Sequence, residues 1–230
     1  MDRQTKHDAA RPTRREFMRT AAAGTAVASF GILRSAHAQG ADVLRVGLIG
    51  CGGRGTGAAR EALLADPNTT LVAVGDVFQD MVESSLNRLK TDPKIAPRIA
   101  VDAGHQFVGF DAYQGVIDSC DVIVHATPPG FRPQHLRACV EAGKHVFVEK
   151  PVAVDAPGVR SVMESCRIAK AKGLNLVSGL CYRYEFAKRE TIKRLQDGAI
   201  GGFVTLQTTY NTGGLWHKGR QDEWTEMEYQ

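Results

Sequence analysis

The chain has 230 residues, of which 43% are hydrophobic and 23% charged, and a formal net charge of +4. That length can bury the core of one or two domains, and the composition is ordinary for a soluble globular protein. Seven of the 29 Lys and Arg and three of the 25 Asp and Glu fall within residues 1–38, which leaves 22 of each sign beyond. The positive balance therefore belongs to the leader, and no nucleic-acid partner is expected.

In that leader Arg14 and Arg15 stand just ahead of an apolar run, 21–33, that is too short and too rich in Ala and Gly to span a bilayer stably. Ala36-His37-Ala38 follows, an A-x-A cleavage pattern that would leave Gln39 as the new N-terminus. The whole resembles a twin-arginine export signal, with Met18 where Leu is more usual. A signal peptide over 1–38, a periplasmic destination and a twin-arginine export machinery as partner are the expectations. No Cys follows the run, so no stable membrane anchor is expected.

Beyond the leader the pattern alternates strand and helix, the mark of a parallel α/β sheet with right-handed crossovers. The first strand, 43–49, breaks into Gly50-x-Gly52-x-x-Gly55, and a helix is expected over about 56–65. Gly50 permits the tight turn, Gly52 lets backbone approach a pyrophosphate, and Gly55 lets the helix pack closely on the strand. The helix N-terminus offers amides and the positive end of its dipole to phosphates. A second strand, 70–75, ends at Asp76, which stands 26 residues after Gly50. A carboxylate there accepts from a ribose diol and repels a 2′-phosphate, and no basic residue follows at once, so NAD is expected rather than NADP. Gly50, Gly52, Gly53, Arg54, Gly55 and Asp76 are the expected nucleotide contacts.

A helix over about 79–89 follows, then a less regular surface insertion, 91–105, carrying Pro93 and Pro97. Further strands are expected at 107–109, 121–126, 145–149 and 175–180, with helices at 113–118, 133–142 and 156–172. Gly143 and Gly173 close the last two of these helices and Asp155 caps the third. Ligands of such sheets lie outside the carboxyl ends of the strands. Gly50 to Gly55, Asp76, Thr127 to Pro129, Glu149-Lys150 and Gly179 to Arg183 all fall at those ends and outline one cleft. From Tyr184 the character changes: a helix, 185–196, leads into a β-rich stretch, 203–210, expected to open a different, antiparallel sheet. The stretch 182–230 is too short for a second sheet with its own core, and the chain is expected to stop within that domain.

The five cysteines form no C-x-x-C pair. Cys120, Cys139, Cys166 and Cys181 read as small buried hydrophobes, and Cys51 as a packing residue of the glycine loop. The seven histidines show no ligand spacing, and no metal site is expected.

Glu141 to Pro151, ending in Glu149-Lys150-Pro151, together with Ala126-Thr127-Pro128-Pro129 and His135, resembles the Gfo/Idh/MocA oxidoreductases, the relatives of glucose–fructose oxidoreductase and inositol 2-dehydrogenase. The resemblance covers about 43–212. It implies a Rossmann domain, 42–181, followed by the beginning of an α/β substrate domain, 182–230, whose large sheet often forms the oligomer interface. It implies that Lys150 stands between nicotinamide and substrate as the catalytic group, and that Glu149, Thr127 and Pro128 line the nicotinamide ribose. Whether Lys150 serves as base or orients the substrate stays open. His135 either reaches the cofactor or belongs to the first turn of its helix. Arg183 either meets a polyhydroxylated or acidic substrate or links the two domains, and Trp216 and His217 are candidates for sugar contacts. The family's second catalytic element, an Asp and a His about one helical turn apart, has no counterpart here, since Gly213 stands four residues before His217. The expected function is an exported NAD-dependent oxidoreductase acting on a hydroxyl carbon of a sugar, polyol or related compound, as a homo-oligomer when full length. The alternatives are a glycosidase that oxidises its sugar transiently with bound NAD, or, for this stretch alone, a nucleotide-binding module without catalysis.

Overall fold

The computed structural model describes residues 43–214 and 219–229. The signal segment 1–38, Trp216 and His217 lie outside the described residues. The chain divides into two compact units, Met1–Leu180 and Cys181–Gln230.

In the first unit the alternation forms as β1 (Leu44–Ile49), α1 (Gly53–Ala65), β2 (Thr69–Asp76), α2 (Gln79–Lys90), β3 (Gln106–Val108), α3 (Ala112–Ser119), β4 (Val122–His125), α4 (Arg132–Glu141), β5 (His145–Val148), α5 (Ala156–Ala171) and β6 (Leu176–Ser178). The six strands make one sheet in the order β3-β2-β1-β4-β5-β6, every pair parallel. This is the doubly wound Rossmann arrangement, with the order reversing between β1 and β4. Register slips once, between Val46 and Gly47 opposite β2, where Leu71 and Ala73 are the successive partners.

Both sheet faces are covered, so the strands read as near-continuous apolar runs. On one face Val46, Leu48, Leu71, Val74 and Val124 pack with Ala59 and Leu63 of α1 and with Val82, Leu86 and Leu89 of α2. On the other, Ile49, Ala73, Ile123, Val146 and Val148 pack with Val116, Leu136, Val140, Val162 and Ala169 of α3, α4 and α5. Each fully buried Leu or Ile contributes roughly 1.5–3 kcal/mol by leaving water. The caps form as expected. Asp155 accepts from the Gly158 amide at 2.7 Å at the start of α5, and Gly143 and Gly173 take φ of +75° and +68° after α4 and α5.

Four expectations change. α1 begins at Gly53 rather than 56, because the glycine turn closes straight into the helix: the Thr56 amide donates to the Gly52 carbonyl at 2.9 Å. The insertion 91–105 is not merely superficial. It forms 3-10 turns at Ala96–Arg98 and Ala103–His105, and between them the Ala100 amide donates to the Leu71 carbonyl at 2.9 Å. Ile95 is fully buried and Val101 nearly so, sealing the core beside β2. Cys166 and Cys181 are exposed, while Cys51, Cys120 and Cys139 are buried. Finally, 203–210 forms no strand: among the described residues no strand pairs with its backbone, and Val204, Leu206 and Tyr210 are exposed. A β-rich segment cannot hold a ladder without a neighbour.

The second unit carries a 3-10 turn, Cys181–Arg183, and the helices α6 (Phe186–Gln196) and α7 (Glu226–Tyr229). No residue of α6 is buried. The Tyr182 and Tyr210 hydroxyls lie 3.5 Å apart, and the Lys188 ammonium sits 4.3 Å from the centre of the Tyr182 ring. Among the described residues no helix is long and apolar enough to cross a membrane.

Candidate active site

All six strands run one way, so their carboxyl ends share one edge of the sheet, and the first unit places its chemistry-bearing residues there. At the exit of β1, Gly50 takes φ +94° and its amide donates to the Gly75 carbonyl at 2.8 Å. A Cβ on Gly50 would lie 2.6 Å from the Thr127 amide nitrogen, and one on Gly55 only 1.8 Å from the Gly50 carbonyl oxygen. The turn is therefore folded back against the exit of β4. By contrast, a Cβ on Gly52 or Gly53 would meet nothing within 4 Å. These two glycines face open space, at the start of a helix with no side-chain cap and no acid in its first turn. Unpaired amides and the positive end of the dipole point into that space. The cradle fits a diphosphate.

Two residues absent from the sequence reading hold it in shape. The Thr56 hydroxyl lies 2.9 Å from the Gly52 carbonyl, 3.2 Å from the Cys51 carbonyl and 2.8 Å from the Ser85 hydroxyl on α2. Ser and Thr at spacings of no motif give no signal in a sequence. Asp76 also serves the turn. Its Oδ2 accepts from the Cys51 amide at 2.6 Å and its Oδ1 from the Phe78 amide at 3.2 Å, and each oxygen keeps a further lone pair for a ribose hydroxyl. Burial, with the Asp76 charge alongside, pushes the Cys51 thiol up to about 12, so it is a packing group.

At the exit of β5 the Glu149 carboxylate is 2% exposed. The Arg54 Nε donates to its Oε1 at 2.7 Å, and the Arg54 Nη2 completes the ion pair. Its Oε2 accepts from the Lys150 amide at 3.2 Å. A Cβ on Gly179, at the exit of β6, would stand 2.8 Å from the same carboxylate. Arg54 thus ties the glycine turn to the E-K-P segment rather than extending alone toward a phosphate. The Lys150 side chain is exposed, and its ammonium has no hydrogen-bond or ion-pair partner among the described residues. The Lys150–Pro151 peptide is cis, and the buried Arg132 guanidinium donates to the Pro151 carbonyl. Burial lowers the Arg132 pKa, with the Glu149 charge opposing.

Between these exits lies a buried cluster from three elements. Thr127 follows β4, its Oγ1 2.8 Å from the Nε2 of His125 and 3.5 Å from the Nδ1 of His135. His135, in the first turn of α4, is 7% exposed and stacks on Tyr113 of α3 with centroids 4.1 Å apart. Its ring belongs to this buried stack, with Thr127 as its nearest link to the cleft. Pro128 is exposed on the turn above. Burial, together with the neighbouring His135 and Arg132, pushes His125 down to about 3, and burial pushes His135 down to about 4.

The unfolded chain titrates its histidines near 6.5 and so binds more protons below that value than the folded chain does. Stability is therefore fully present above about pH 6.5 and is lost as pH falls toward 4 and then 3, each histidine contributing up to about 1.4 kcal/mol per pH unit. Thermal melting followed by circular dichroism is expected to show a lower Tm at about pH 5 than at about pH 7.5. His135→Phe, which keeps the stack, is expected to roughly halve that fall.

Arg183 lies exposed in the turn that opens the second unit. Among the described residues no three His, Cys, Asp or Glu gather as a metal site. The first unit thus brings Gly50, Gly52, Gly53, Arg54, Gly55, Asp76, Thr127, Pro128, Glu149 and Lys150 to one edge.

Residues 44–179 match the family model described as an oxidoreductase family with an NAD-binding Rossmann fold. The chain belongs to the Gfo/Idh/MocA family. It is 29% identical over 188 residues to a glycosyl hydrolase family 109 protein of Streptomyces coelicolor, covering 81% of this chain and 37% of that protein. It is 31% identical over 172 residues to an inositol 2-dehydrogenase of Serratia proteamaculans, covering 73% of this chain and 45% of that one. The crystal structure of a scyllo-inositol dehydrogenase from Lactobacillus casei superposes with a TM-score of 0.55 at 20% identity, over 70% of this chain and 43% of the other, a likeness of fold. The chain spans less than half the length of the curated relatives it matches here.

Proposed function

We propose that this chain carries the nucleotide-binding half of an NAD-dependent oxidoreductase that moves hydride between the nicotinamide and a hydroxyl-bearing carbon of a sugar, a polyol or a related compound. The observation that carries the reading is the open, uncapped glycine cradle on the same sheet edge as the exposed Lys150 side chain, which has no partner among the described residues. A nicotinamide dinucleotide, when bound, supplies the hydride acceptor or donor. The amides of the α1 N-terminus hold its diphosphate, Asp76 takes the adenosine ribose and disfavours a 2′-phosphate, and Thr127 and Glu149 line the nicotinamide half. As the neutral amine, Lys150 takes the hydroxyl proton while hydride leaves the carbon and the carbonyl forms; as the ammonium, it orients that oxygen. Relatives named inositol 2-dehydrogenase support a cyclic polyol or sugar as substrate class.

The arginine pair before an apolar run supports export in the folded state, which suits a protein that must load its nucleotide before leaving the cytoplasm. A second reading has its own support in the family 109 glycosyl hydrolase likeness: a sugar hydroxyl is oxidised, the aglycone leaves by elimination, water adds in its place, and the hydride is returned to the carbonyl. Full-length protein incubated with inositols, sugars and chromogenic glycosides separates the two. Stoichiometric NADH formation supports the dehydrogenase; aglycone release without net NADH supports the glycosidase; failure to bind NAD at all removes both.

A further inference from the structure

Below the cleft, β4 ends in a residue that the proposed chemistry does not use. Val122, Ile123 and Val124 precede His125, whose side chain is wholly buried on the α3–α5 face of the sheet beside His135, ring centres 5.4 Å apart. An apolar residue would fill that position without desolvating a polar ring. Among the described residues the imidazole makes one hydrogen bond, Nε2 to the Thr127 hydroxyl at 2.8 Å, and its buried Nδ1 has no partner.

That asymmetry assigns the proton. A buried N–H left without an acceptor is the rarer and costlier orphan, whereas a lone pair is tolerated more readily. Burial keeps the ring neutral, so it carries one proton, and Nε2, the nitrogen with a partner, holds it. Nε2–H therefore donates to the Thr127 Oγ1 and occupies one of its lone pairs. The hydroxyl's own proton is left to donate elsewhere. The His135 Nδ1, at 3.5 Å, stands at the limit of a hydrogen bond. An acceptor oxygen in the cleft at normal distance outcompetes it.

We propose that His125 is a positioning residue. Its Nε2–H fixes the Thr127 hydroxyl as a donor toward an oxygen of the nicotinamide nucleoside, while His125 itself never touches the nucleotide. This rests on the reading that the nicotinamide half lies at the β4 and β5 exits.

The test is a double-mutant cycle on the full-length protein, read by calorimetric titration with NAD and with ADP, which lacks the nicotinamide nucleoside. His125→Leu is expected to weaken NAD about 5- to 10-fold, the loss of one hydrogen bond, and to leave ADP within about twofold. His125→Gln, whose amide can donate to the same hydroxyl, is expected to recover most of the affinity. In a Thr127→Val background His125→Leu is expected to add nothing, since its effect passes through that hydroxyl. Equal weakening of NAD and ADP, or additive losses in the double variant, overturns the proposal while the dinucleotide reading stands. Absence of NAD binding by the wild-type chain overturns both. Independently of any variant, nitrogen-15 spectra of the wild-type imidazoles are expected to show His125 protonated at Nε2; protonation at Nδ1 overturns it.

Discussion

Lys150→Ala is expected to lower kcat of the complete protein by about 10²- to 10⁴-fold, the range for removing a positioned proton-transfer group, with the dissociation constant for NAD unchanged within about threefold. The asymmetry follows from where each task is done. The diphosphate cradle belongs to the β1–α1 turn, whose shape depends on Gly50, Gly55, Thr56 and Asp76 and on no atom of the Lys150 side chain. What fixes the lysine backbone is its amide on the Glu149 carboxylate and the Arg132 guanidinium on the next carbonyl, both retained in the variant. The Glu149 carboxylate is engaged by Arg54 and does not claim the ammonium. Turnover with a competent substrate and fluorescence titration with NAD measure the two quantities separately. Loss of NAD affinity with undiminished kcat at saturation would instead assign Lys150 to anchoring the ribose.

The second large effect is expected at Gly55. An alanine Cβ there would stand 1.8 Å from the Gly50 carbonyl oxygen, and backbone lies on both sides of the clash. α1 must move outward by more than an ångström, at a cost of about 1–3 kcal/mol in stability, and the cradle opens. NAD affinity is expected to fall at least about 100-fold, the loss of several amide–phosphate bonds at once. Two neighbours serve as controls in the same titration and melting experiment. A Cβ on Gly53 meets no protein atom within 4 Å but adds bulk to the turn on which the diphosphate is proposed to lie, so Gly53→Ala is expected to keep its Tm and lose affinity. Gly57, further along α1 and equally uncrowded, is expected to gain about 0.4–1 kcal/mol as alanine without changing affinity. If Gly55→Ala binds NAD normally, the diphosphate does not lie on this turn.

The residues that were readable in advance are those whose meaning is local. The glycine spacing after an apolar run, the acid ending the next strand, Asp155 before an apolar periodicity and Gly143 after one each act through their own few neighbours in the chain. Parallel order followed, because an apolar strand, a helix and another apolar strand can close only one way. The unread features are tertiary. Arg54 and Glu149 meet across 95 residues, and His125, Thr127 and His135 meet only because α4 packs back on β4. Ile95 gave no strand or helix period and yet fills the core edge. The helical periodicity around Cys166 did not say which face was outward. The stretch 203–210 has strand chemistry, but strand formation is a property of two segments, and among the described residues no strand lies beside it.

A sheet with every strand in one direction has two unlike rims. The cleft residues occupy the rim where the strands end. The rim where they begin holds the Arg45–Asp121 ion pair, at 2.7 Å, and the exposed bends at Pro67-Asn68, Gly143 and Gly173. A linker, dye or solid support attached at one of those bends leaves the nucleotide side facing outward. For immobilisation, the fold supplies its own orientation.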